Sequence, residues 1–132
     1  MTTINIPAAV KRATLQLDRD GSGATVNVKH APDPTSGYVV GDGRHERKIA
    51  LEYPHLPRFV EIDSADEIRR FAQDHLATLA QPGFFLGIWL DDGTLFLDVV
   101  NVYAERAAAH AAAVDHGEAA YFCLDTGVTT YV

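Results

Sequence analysis

In the run LDRDGSGATV (17–26), Asp18, Asp20, Ser22 and Gly23 stand at the first, third, fifth and sixth places of a calcium-binding loop. Such a loop surrounds a hard cation with oxygen ligands and closes the shell with a bidentate carboxylate at its twelfth place. Counted from Asp18, the twelfth place is Lys29, a cation where the metal needs an anion. The run is therefore read as a turn, with DRDGSG the tip of a hairpin between strands at Thr14–Leu17 and Ala24–Val28. Zinc is the next chemistry to ask about, because the chain carries His30, His45, His55, His75, His110 and His116. They form no H-E-x-x-H pair and no Cys/His knuckle, and His110 and His116 on one helix would point in different directions. No metal and no cofactor is expected.

Nucleophilic chemistry finds little support. Cys123 sits inside YFCLD among large apolar residues, where burial should raise a thiol pKa. There is no G-x-S-x-G elbow, phosphate loop or dinucleotide fingerprint, so no catalytic residue is assigned. Asp98 interrupts the apolar strand LFLDVV and reads as a structural acid that needs a partner if buried. RHERK (44–48) is a local basic cluster in an acidic chain. Arg44, His45 and Arg47 from it, with Tyr53 and Tyr103, are the candidate contacts to a partner.

These side chains have to be positioned by a chain of 132 residues, enough for one domain, read as 1–132. Its net charge of −7 argues against direct binding to nucleic acid or to an anionic membrane. One cysteine suits a reducing compartment. The start MTTINIPAAVKR shows no signal peptide, and the longest apolar run, FFLGIWL, is far short of the roughly twenty residues that span a bilayer. The expectation is a cytoplasmic protein.

APDPTSG (31–37) reads as a loop, DGRHERK (42–48) as a polar excursion, and Ile49, Leu51 and Tyr53 as one face of a strand. FVEI (59–62) reads as extended. Ser64 and Glu67 have capping-box spacing ahead of Ile68, Phe71, Ala72, Leu76 and Leu79, which predicts a helix over about 65–80. Phe84–Leu90 and Thr94–Val100 flank Asp91-Asp92-Gly93 as a hairpin apolar on both faces. AERAAAHAAAVDH predicts a second helix over 104–116, closed by Gly117 and docked on Trp89, Phe96 and Phe122. A last strand pair surrounds Thr126-Gly127. The fold class is α+β: a single domain with a mainly antiparallel sheet built of hairpins and two helices.

The stretch LGIWLDDGTLFLDVVNVY with the following AAAVDHGEAAYFCLDTG resembles small accessory proteins of actinobacteria, their plasmids and their phages, over roughly residues 84–132. The resemblance carries no catalytic residues. It implies an accessory protein of a mobile element or its host that binds a protein and does not convert a substrate. Oligomeric state is left open, with a homodimer allowed. Two alternatives stand beside this reading. One is an enzyme whose site gathers dispersed residues such as His45, Glu46, His55 and Asp98; the other is an acidic mimic of DNA.

Overall fold

A computed structural model describes residues 3–20, 23–51 and 57–132. Helix α1 (Ile6–Asp20) opens the chain, followed by β1 (Gly23–Val26) and the long β2 (Tyr38–Ala50). Helices α2 (Pro57–Asp74) and α3 (Leu76–Leu79) lead to the hairpin β3 (Phe84–Asp91) and β4 (Thr94–Tyr103). Helix α4 (Arg106–His116) precedes β5 (Ala120–Cys123) and β6 (Thr129–Tyr131). No helix among the described residues is long and apolar enough to cross a membrane.

The six strands form one antiparallel sheet in the order β1-β3-β4-β2-β5-β6. Strand β4 lies between β2 and β3, which α2 and α3 connect, and β2 lies between β4 and β5, which α4 connects. This β2-α2-β3-β4-α4-β5 connectivity is the split βαβ arrangement of ferredoxin-like topology, extended by α1, β1 and β6. Topology of this kind fixes no function.

Side chains alternate across a sheet, so the registers sort them into two faces. On the first face, Leu86, Ile88 and Leu90 of β3 stand opposite Val99, Leu97 and Leu95 of β4. They pack with Ile6, Ala9, Val10, Ala13 and Leu17 of α1 and with Ile68, Phe71 and Ala72 of α2. Each large apolar side chain buried there contributes roughly 1.5–3 kcal/mol. A smaller cluster lies on the same face further along β2, where Ala109 and Ala113 of α4 meet Val40 and Tyr121. Among the described residues, the buried side chains of the helices thus lie on one side of the sheet.

The antiparallel α+β architecture agrees with expectation, and both predicted regions are largely helical: α2 and α3 cover most of 65–80 but begin earlier, at Pro57, and are interrupted at His75, and α4 starts two residues later than expected, at Arg106. Gly117 ends α4 at φ 73°, with Glu118 N–H donating to the Ala113 carbonyl and Gly117 N–H to that of Val114. That is the Schellman closure a left-handed glycine permits.

Several local readings are corrected. Thr14–Leu17 belongs to α1, so DRDGSG joins a helix to a strand and is no hairpin tip. The Asn5 side chain caps α1 by accepting from the Ala8 N–H, and Ile6, Val10, Ala13 and Leu17 form its buried stripe. FVEI is helical, because α2 begins at Pro57, where the missing N–H costs nothing. Ser64 therefore lies inside α2, fully buried, and is not its cap. DGRHERK is not an excursion but the middle of β2, with a bulge between Gly41 and Glu46. Helix α4 docks on Val40 and Tyr121, whereas Trp89, Phe96 and Phe122 lie on the opposite face.

Candidate functional site

The second face carries Phe85, Gly87 and Trp89 from β3, opposite Val100, Asp98 and Phe96 of β4. Across β4, Lys48 pairs with Phe96, Glu46 with Asp98, and Gly41 with Val100. Trp89 is 41% exposed, and its ring lies 5.9 Å from that of Phe96. The Lys48 ammonium sits 5.7 Å from the Phe96 ring centre and 3.5 Å from the Glu46 carboxylate. An aromatic strip is thus bordered by carboxylates.

Two glycines shape that border. A Cβ on Gly87 would come within 2.6 Å of Val100 Cγ1, so the absent side chain lets Val100 and Asp98 pack over β3. At Gly41, a Cβ would come within 2.9 Å of Glu118 Cδ, so the empty position is filled by the Glu118 carboxylate. Asp98 consequently lies in a half-buried setting with acids around it. Burial pushes its pKa up to about 7, with Glu118, Glu46 and Asp42 adding to the rise and Lys48 opposing it. Burial and Glu46 raise Glu118 as well. Like-charged groups held this way favour protonation or the arrival of a cation.

The first face holds a second group. His45 Nδ1 lies 2.6 Å from Asp42 Oδ2, and its ring is 4.8 Å from that of His75 at the α2–α3 junction. His75 in turn lies 4.6 Å from Phe71. Arg47 bonds Asp74 at 2.8 Å and lies over the Phe71 ring. Burial works to raise Asp42, yet the hydrogen bonds from His45 and from the N–H groups of Arg44 and His45 outweigh it and hold the carboxyl below its usual range.

The residues singled out from sequence are therefore dispersed. His45 and Arg47 face α2 and are engaged there. Arg44 is exposed on the bulge and has no ion pair among the described residues. Tyr103 is half-buried at the end of β4, against the α4 cluster. Tyr53 and His55 lie outside the described residues. Glu46 and Asp98 do meet, across β2 and β4, while His45 is on the other side of the sheet. Cys123 is buried, but its thiol is lowered, first by a hydrogen bond from the Thr126 hydroxyl and then by nearby N–H groups of the β5–β6 turn. The expected rise is overturned because the turn brings donors to the sulfur.

A shallow cleft of about 430 Å³ between α1 and the 29–33 segment has its cations already committed. Arg12 bonds Asp33 through two nitrogens and also the Asn27 carbonyl. Lys29 Nζ donates to the carbonyls of Leu79, Gln81 and Phe84 at 2.8–2.9 Å. Among the described residues, no group of three or more His, Cys, Asp or Glu side chains is arranged to hold a metal ion. Of that candidate loop, Asp18 and Asp20 fall in the last turn of α1 and Gly23 begins β1, while Gly21 and Ser22 lie outside the described residues.

Sequence reasoning treated Trp89 and Phe96 as seats for a helix and passed over Glu118. The alternation of LFLDVV already separated Phe96 and Asp98 from Leu95, Leu97 and Val99, and that signal was available. No protein-family model, curated protein or solved structure matches the chain.

Proposed function

We propose that the protein is a small, non-enzymatic accessory protein that binds another protein through the second face of its sheet. The partner presents a segment with basic side chains among apolar ones. The observation that carries this reading is the strip of Trp89, Phe96 and Phe85 beside Glu46, Asp98 and Glu118, on the side of the sheet opposite the buried helix residues among those described. Aromatic rings supply area and cation–π attraction, and the carboxylates supply the charge that a guanidinium or ammonium would satisfy. A phage or mobile-element setting with a host protein as target agrees with the resemblance of residues 84–132.

Nucleic acid is the less favoured occupant, although an aromatic sheet face can stack bases. Carboxylates at the border and a net charge of −7 repel phosphates. An enzyme built on His45, Glu46, His55 and Asp98 has less support again, since His45 is across the sheet from Glu46 and Asp98.

Trp89 is the sole tryptophan, so its fluorescence reports on the face directly. A synthetic peptide alternating arginine and leucine should shift the emission saturably, and an alternating glutamate–leucine peptide should not. A saturable shift with single-stranded oligonucleotide, or no shift with the basic peptide, would overturn the reading.

A further inference from the structure

We propose that His45 and His75 form an acid-sensitive latch between the bulge of β2 and the α2–α3 junction. The two imidazoles lie 4.8 Å apart, and His75 also contacts Phe71, so three rings close one end of the main core. His75 is where the helix breaks: its N–H donates to the Phe71 carbonyl, while its own carbonyl accepts from Thr78 and Leu79. The latch thus joins a bulged strand to a helix end, both of them local departures from regular structure. Such positions open at lower free energy than the centres of elements.

The charges around the pair make it sensitive to protons. From β2, Asp42, His45 and Arg47 face His75; from α2, Asp74 does, with Arg70 acting on Asp74. Asp42 bonds the His45 ring. Arg47 bonds Asp74, which leaves that carboxylate partly spent when His75 takes up a proton. Burial first, then His45 and Arg47, hold His75 below the ordinary histidine range, against the pull of Asp74 and Asp42. With a neutral His75 the two rings pack against each other. When His75 takes up a proton, its charge enters a contact that is partly shielded from water and lies near the Arg47 guanidinium, and the α2–α3 junction is driven away from β2.

Amide hydrogen exchange, corrected for its intrinsic pH dependence, tests this on the whole chain. Between pH 7.5 and 5, protection at His75, Leu79 and Ala80 should fall at least tenfold, while amides of the β3–β4 hairpin hold theirs. His75→Gln and His45→Gln should each abolish the fall. In the unmodified chain and in His45→Gln, NMR titration of the imidazoles gives a second reading: the His75 midpoint should rise when the His45 ring is replaced. Equal loss of protection in the hairpin, an unchanged His75 midpoint, or a fall that survives either substitution would overturn the latch.

Discussion

Between a pH near 4 and one near 7, the folded chain keeps a proton on Asp98 that the unfolded chain has released, because burial among carboxylates lifts its pKa from 3.8 to about 7. A group with a raised folded-state pKa stabilises the fold at low pH and loses that contribution as pH rises through the window. Asp98→Asn removes this penalty. It should raise the melting temperature at pH 8 by several degrees and flatten the pH dependence, as thermal denaturation from pH 4 to 8 would show. His75 has the opposite sign. Its pKa is lowered from 6.5, so its share of stability is full above that value and is lost on acidification. Lys29 makes a different kind of contribution. Its ammonium joins the 27–30 segment to three carbonyls near the α3–β3 connection. Lys29→Met keeps the apolar stem and leaves those carbonyls without their donor. A loss of about 2–4 kcal/mol in urea unfolding is expected.

At the level of elements, the β3–β4 hairpin depends on one missing side chain. Gly87→Ala places a Cβ within 2.6 Å of Val100 Cγ1. The expected cost is roughly 1–3 kcal/mol, and Val100→Ala in the same chain should recover much of it. Denaturant melts of the two single variants and the double variant check this. The hairpin was legible in the sequence because Asp92-Gly93 and period-two alternation agree there. Helix α4 was legible for the same reason, through its alanines and Gly117. Helix α1 was not, although Ile6, Val10, Ala13 and Leu17 have helical spacing. The turn chemistry of DRDGSG drew attention away from that spacing. Ser64 misled in a similar way. Its spacing to Glu67 fits a cap, but Pro57 starts the helix seven residues earlier. As for the site, Glu46 and Asp98 were grouped only as members of a dispersed enzyme site with His45 and His55, not as direct neighbours. Their pairing depends on the register of β2 against β4 across a bulge, which local pattern does not encode.

For the molecule as a whole, the two sides of the sheet have different physical characters. One is filled by helices; the other combines half-buried aromatic groups with acids in a chain of net charge −7. Attachment of a basic segment to the second side should weaken as salt rises, because charges at its border are screened over roughly 8–10 Å. Trp89→Ala should reduce that affinity at least tenfold while leaving the far-ultraviolet dichroism unchanged; isothermal titration and dichroism together test both parts. The same architecture gives Lys29 a further use. An amine whose three protons are all engaged has none of its nitrogen available to an acylating reagent. Its labelling by a succinimide ester should therefore trail that of exposed Lys48 by orders of magnitude, and the rate would time how often the sheet and its helices come apart.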